Sequence, residues 1–313
     1  MPIASAAADA RPSPAGPVVP TAASTAVRDL LARPAAGRVL AAFPSALYVA
    51  VDEDVLAVVT SDGLRLPNAA VLAVPSTTAP FAGCRSGAPA AVHGGDLHAG
   101  GRAYRPVRWW SPREVLPRDR DRDGAVPVLR PAVVAELAGR LADAQPHDPV
   151  VRGLLDDGAA QMHRALVRRD PAGAQRAAGG LVGLGPGLTP AGDDLLAGLL
   201  VACAQLREVP GAADVAATAT RLGDAVGLRA STATTALSAA LLRHAAAGRA
   251  AGPVLRLLDA LVGRTALPAA LAGLLAVGHT SGHDTARGVL TAASALLDRA
   301  TAVGAPPDSE QDR

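Results

Sequence analysis

The sequence predicts an α+β protein, with a small β-rich N-terminal domain followed by a larger all-α C-terminal domain. Residues 37–110 carry short β-branched and apolar runs, cut by turn signals such as Asp52-Glu53-Asp54 and Ser61-Asp62-Gly63. From Pro127 onward no strand-like run interrupts the helical segments. Pro131, Pro149, Pro171, Pro190, Pro253 and Pro268 mark their starts, at the first helical position where no amide hydrogen is needed.

Taken in order, residues 1–26 are Ala/Pro/Ser-rich and predict a disordered tail. A β-rich domain over 27–117 follows, with strands near 39–43, 46–51, 55–60, 70–74, 90–93 and 104–110, forming a barrel or a sandwich. Residues 118–126 alternate Arg and Asp with no apolar face and read as a linker; their cancelling signs argue against a nucleic-acid surface. The all-α domain over 127–303 is expected to hold helices at 131–144, 149–169, 172–180, 190–207, 212–226, 232–247, 253–263, 268–277 and 282–302. Asp148 and Asp170 precede prolines as acidic caps, and Gly248 and Gly278 close helices. Residues 304–313 read as a second disordered tail.

Composition narrows the chemistry. The chain has 313 residues, half of them hydrophobic but only 2% aromatic, so its cores depend on close helix packing around alanine. All 30 basic residues are arginine. The absence of lysine excludes a Walker-type phosphate loop, a Schiff-base lysine and a lysine general base. Cys84 and Cys203 lie far apart and suggest neither a disulfide framework nor a zinc knuckle. The longest apolar runs fall short of the roughly 20 residues of a membrane span, and residues 1–26 lack the apolar core of a secretory signal. A cytoplasmic protein without membrane or nucleic-acid partners is expected.

Residues 183–194 read Gly-Leu-Gly-Pro-Gly-Leu-Thr-Pro-Ala-Gly-Asp-Asp. Glycines and prolines give a sharp loop, Thr189 is positioned to cap a helix, and Pro190 fits its first turn. A tight loop feeding a helix start leaves amides of Gly185, Gly187, Leu188 and Thr189 available to a phosphate or carboxylate. Asp193 and Asp194 favour the helix dipole but repel a bare anion, which points to a bridging Mg²⁺ or a neutral substrate group. Consecutive helical residues point about 100° apart, so one of the two acids faces the pocket. A second corner has the same logic: Gly278-His279-Thr280-Ser281-Gly282-His283-Asp284, with Ser281 and Asp284 at capping-box spacing. His279 and His283 stand at i, i+4, but Gly282 and the cap at Ser281 argue against one helix across them, so no metal ligands are assigned. Between the corners Thr232, Thr235 and Ser238 lie near one helical face. Arg229, Arg243 and Arg287 lie near the motifs as carboxylate partners, and Trp109-Trp110 is placed to pack the domain interface.

The run from Leu184 to Asp194 resembles the signature of a bacterial family whose best-known representative is the AllH-like third subunit of oxamate carbamoyltransferase, an enzyme of allantoin breakdown. Residues 232–248 and 278–284 follow in the same order, and the likeness extends in general pattern over 37–303. Ala191 stands where that family often carries Ser, and Leu195 where it often carries a bulky aromatic. The resemblance implies transfer of a carbamoyl group between carbamoyl phosphate and oxamate, giving oxalurate and phosphate, with other protein subunits as partners. Asp193, Asp194 and His279 are then the expected catalytic residues. Gly185, Gly187, Leu188, Thr189, Gly192, Thr232, Ser238, Thr280, Ser281, Gly282 and Asp284 are expected to bind a small anionic substrate. The rival expectation is a non-catalytic anion-binding or scaffold subunit.

Overall fold

A computed structural model describes residues 16–112, 127–144, 146–210 and 212–304. Eight strands close into a barrel: β1 (Val18–Ser24), β2 (Ala35–Ala42), β3 (Ala46–Val51), β4 (Asp54–Val59), β5 (Ala69–Leu72), β6 (Pro89–His93), β7 (Asp96–Ala99) and β8 (Arg102–Trp110), in the order β1-β5-β4-β3-β2-β6-β7-β8. Neighbours are antiparallel except β4–β5 and β1–β8, which run parallel. Closure leaves no open sheet edge. A short helix, α1 (Arg28–Ala32), sends Leu30 and Leu31 into the same core as the barrel interior.

The period of two along β3 and β4 places the second domain. Leu47, Val49, Val51, Leu56 and Val58 point inward, whereas Ala46, Tyr48, Val55, Ala57 and Val59 form apolar patches on the outer face. Both faces being apolar explains why these strands read as almost continuous hydrophobic runs.

Nine helices follow among the described residues: α2 (Pro131–Ala142), α3 (Pro149–Arg168), α4 (Pro171–Leu181), α5 (Ala191–Gln205), α6 (Ala213–Ala233), α7 (Ala236–Ala246), α8 (Gly252–Leu261), α9 (Leu267–Leu275) and α10 (Ser281–Gly304). Asp148 and Asp170 cap α3 and α4 as their sequence positions predict, each carboxylate accepting a first-turn amide at 2.9 and 2.8 Å. Helix α5 is buried nearly all round. It crosses α10 at two glycines: a Cβ on Gly198 would collide with the Thr285 carbonyl oxygen, and one on Gly288 with that of Leu195. Only glycine lets these backbones touch.

Helix α7 docks on the barrel. Leu237 and Ala240 pack on Val55, with Tyr48 and Leu241 beside them, and Arg243 Nη2 donates to Glu53 O at 2.6 Å and Asp54 Oδ1 at 2.7 Å. Trp110 joins the neighbouring cluster that includes Ala251, and its indole nitrogen donates to Ala22 O at 3.2 Å. Trp109, expected to pack there too, is instead exposed, with the Arg28 guanidinium 4.6 Å over its ring.

The architecture has the expected fold class and corrects several local expectations. Residues 18–24 are not tail but strand β1, paired on both sides, although their composition resembles low complexity. Residues 1–15, the linker 118–126 and residues 305–313 lie outside the described residues. Thr189 does not cap α5, which starts at Ala191 with Pro190 at its cap position. The expected helix over 232–247 is split: α6 runs to Ala233, and Thr235 caps α7 by accepting Ser238 N at 3.1 Å. The Ser281–Asp284 capping box does not form, because α10 begins at Ser281 and Asp284 turns to another partner.

Candidate functional site

Three glycines with positive φ, Gly183 (77°), Gly185 (104°) and Gly187 (102°), bend the α4–α5 loop so that Gly192 N donates to Leu184 O at 2.9 Å. The loop is then pinned by Asp193, only 1% exposed. Its Oδ1 accepts Gly183 N at 2.9 Å, and its Oδ2 accepts the hydroxyls of Ser238, at 2.7 Å, and Thr234. Thr235 Oγ1 adds a bond to Leu188 O at 2.5 Å. One carboxylate therefore ties the loop, the start of α5 and the α6–α7 corner together.

Asp194 faces elsewhere. It opens into a cavity of about 670 Å³ between the barrel and the helices, beside Thr189, Ser281 and Thr285. Ala197 and Val201 continue the α5 side of the cavity, Tyr48 and Leu66 line its barrel side, and Arg249 lines it too. Burial pushes the Asp194 carboxyl up to about 8; the nearby charges of Asp284 and Asp193 push the same way, while hydrogen bonds from Ser281 and Thr189 oppose it. At neutral pH the group is mostly a protonated acid, able to donate. Its Oδ2 is buried and has no hydrogen-bond partner among the described residues. Thr189 Oγ1 and Ser281 Oγ lie 3.0 Å apart and join the two glycine corners directly.

Behind this wall Asp284, fully buried, receives His147 Nε2 at 2.8 and 2.9 Å from its two oxygens. His283 Nδ1 stands 3.7 Å from the same carboxylate. The pair holds the segment before α3 against the first turn of α10.

The structure brings Leu188, Thr189, Asp194 and Ser281 together at the cavity. Gly185 and Gly187 shape the loop, and Ser238 serves Asp193. Gly192 and Gly282 allow close packing, since a Cβ on either would strike the Leu181 or Leu274 carbonyl. Thr232 is exposed near the end of α6, its hydroxyl 3.5 Å from Arg229 O, and Thr280 accepts Asp284 N through its carbonyl at 3.1 Å. His279 is exposed and does not line the cavity, nor does Asp284. The two acids point to different places, so they do not offer one Mg²⁺ ion a shared carboxylate face. Among the described residues no group of three or more His, Cys, Asp or Glu could hold a metal. The first amides of α5 are also largely engaged: Gly192 N bonds Leu184 O, and the amides of Asp193 and Asp194 bond Pro190 O.

Arg229 donates to Gly179 O, Arg243 to Asp54 and Arg287 to Asp156, and none of the three lines the cavity. Arg249 lines the cavity, and sequence reasoning missed it along with Tyr48, Asp62 and His147. The signal for Arg249 was its place just after the helix-closing Gly248, where a side chain turns off the helix axis.

Residues 181–293 are similar to a family described as oxamate carbamoyltransferase subunit AllH. The matched span contains the loop, α5 to α9 and the first half of α10, and leaves out the barrel. No solved structure matches the chain. This partial match supports a general role as a transferase subunit.

Proposed function

We propose that the chain is a subunit of a carbamoyltransferase-like enzyme of the oxamate and carbamoyl phosphate type, acting in the cytoplasm with other protein subunits. Asp194 is the observation that carries the reading: a mostly neutral carboxyl with an unpartnered oxygen, inside the matched span, at the wall of a cavity. In carbamoyl transfer the acceptor amide nitrogen bonds the carbamoyl carbon, the bond from that carbon to the phosphate oxygen breaks, and the nitrogen loses one proton. A carboxyl titrating near neutrality suits this step, because its acid form donates to a carbonyl oxygen and its base form takes the nitrogen's proton. Thr189 and Ser281 hold the carboxyl in place, and Arg249 lies on the wall of the same cavity.

The test is turnover of the assembled complex, measured as oxalurate and phosphate formed. Asp194→Asn and Asp194→Ala are expected to lower kcat at least about 100-fold, the scale of a lost acid–base group. Turnover within twofold of the unsubstituted protein would remove Asp194 from the chemistry. His279→Ala, altering an exposed ring away from the cavity, is expected to change turnover less than about twofold.

A binding-only scaffold subunit is the second reading. It is favoured by the engaged amides at the start of α5, which leave little to stabilise a departing phosphate. Calorimetry that detects oxamate or carbamoyl phosphate binding, in a complex that never forms product, selects it.

A further inference from the structure

The cavity wall at Asp194 is backed by a charge that no ligand can reach. Asp284 stands three residues after Ser281 in the first turn of α10. Side chains at this spacing are neighbours, about 5–6 Å apart at their Cβ atoms. Ser281 bonds Asp194 and lies 3.0 Å from the Thr189 hydroxyl. Asp284 itself is 0% exposed and does not line the cavity. The glycine crossing fixes this stacking: the Leu195 carbonyl lies against Gly288 and the Thr285 carbonyl against Gly198, so the two helices meet backbone to backbone beside both acids.

We infer that Asp284 and His147 are positioning residues for the reaction at Asp194: the Asp284 carboxylate, held by His147, keeps Asp194 in its acid form from behind the wall, and neither residue touches the ligand. The inference rests on the acid–base role proposed for Asp194.

Three observations carry it. His147 Nε2 stands 2.8 and 2.9 Å from the two Asp284 oxygens, so one N–H is shared by both and the carboxylate cannot turn away. Stability does not account for this pair, because apolar side chains of similar volume fill a buried site at least as well. The carboxylate is also near enough to act. Burial is the largest cause of the raised Asp194 carboxyl, and Asp284 is the larger of the two charges that push the same way.

The surroundings of Asp194 leave Asp284 as the charge free to do this. Asp193, its neighbour on α5, is engaged by the Gly183 amide and by Ser238 and Thr234, and so belongs to the loop. From the loop and from α10, Thr189 and Ser281 contribute uncharged hydroxyls. Tyr48, Asp62 and Arg249 are the other ionisable residues on the cavity wall. Behind it, His283 Nδ1 lies 3.7 Å from Asp284.

The test removes charge while keeping shape. Asp284→Asn has nearly the same volume and still accepts His147 through its amide oxygen, but carries no charge. The Asp194 carboxyl is followed by carbon-13 NMR of the full chain, with Asp194→Asn identifying its resonance, and kcat of the assembled complex is measured against pH. Asp284→Asn is expected to move the Asp194 midpoint down by at least about half a pH unit, and the kcat profile with it. His147→Gln, whose amide donates to Asp284 in place of the imidazole, is expected to leave that midpoint within about half a unit. Melting curves confirm each fold, and Asp284→Ser replaces Asp284→Asn under the same threshold if the latter does not fold. A smaller shift on loss of the Asp284 charge overturns the inference, and a larger one in His147→Gln overturns the part given to His147. A shifted midpoint, beside an Asp194→Asn complex that turns over normally, sinks the proposed function and keeps the coupling. An unshifted midpoint beside an inactive Asp194→Asn complex does the reverse.

Discussion

The Ser238 hydroxyl donates to Asp193 Oδ2 across 2.7 Å, joining residues from helices α7 and α5 inside the protein. Thr234 and the Gly183 amide share the same carboxylate, so its removal strands three donors, one buried and two half-buried. Asp193→Ala is expected to cost about 3–5 kcal/mol in urea unfolding, and Ser238→Ala about 1 kcal/mol. Equal, small losses for both would show that the carboxylate is not the clasp of this corner.

Asp194 carries a different prediction, one in pH. Its carboxyl is raised to about 8 in the folded state, against 3.8 for the free group. The folded protein therefore keeps a proton that the unfolded chain gives up. Stability from this group is undiminished below about pH 4, declines as pH climbs through the window to about 8, and levels off above it. Asp194→Asn cannot ionise, so it should gain on the unsubstituted protein as pH rises. A relative gain of at least about 1 kcal/mol between pH 5 and pH 9, worth roughly 2–4 °C in Tm, is expected. Parallel Tm curves for the two proteins would contradict the raised carboxyl.

His147 and Asp284 form a buried pair, the first 11% exposed at its side chain and the second 0%. Removing the imidazole leaves the buried carboxyl group with His283 Nδ1 at 3.7 Å in place of a partner at hydrogen-bond distance. His147→Ala is expected to cost about 3–5 kcal/mol and to speed amide exchange at the start of α3, which the pair anchors. Unchanged exchange there would show that the anchoring lies elsewhere.

Gly198 tests the helix crossing. Even one methyl group at this position collides with the Thr285 carbonyl, and α10 must move outward to admit it. Gly198→Ala is expected to destabilise by about 1–3 kcal/mol. Because Asp194 and Ser281 meet across this crossing, ligand affinity should fall with stability. The matching change at Gly227, where a Cβ meets nothing within 4 Å, serves as the control.

Much of the helical half was legible because its punctuation is chemical. Prolines open α2, α3 and α4, and aspartates cap two of these helices, so α3 was expected at 149–169 and is found at Pro149–Arg168. Strand β1 was not legible, because Val18-Val19-Pro20-Thr21-Ala22-Ala23-Ser24 owes its structure to two partners distant in sequence. At the site, the motif residues Thr189, Asp194 and Ser281 could be picked out, but not what they do. Thr189 reads as a cap by local rules, yet the glycine crossing brings Ser281 within its reach and takes the hydroxyl away. Tyr48 and Asp62 carry no local signature; docking of the barrel on α7 gathers them.

The barrel's closure has a consequence for the order in which the chain is made. Among the described strands β1 leaves the ribosome before the other seven, yet it pairs with β5 and β8, and its bond to the Trp110 indole spans 88 residues. Until β8 is synthesised, β1 and the rest of the nascent sheet expose unpaired edges, the condition in which strands recruit wrong partners. Helices α2 to α10 come later still. The interval before β8 emerges is when this protein is most exposed to aggregation, and when chaperone capture would matter most.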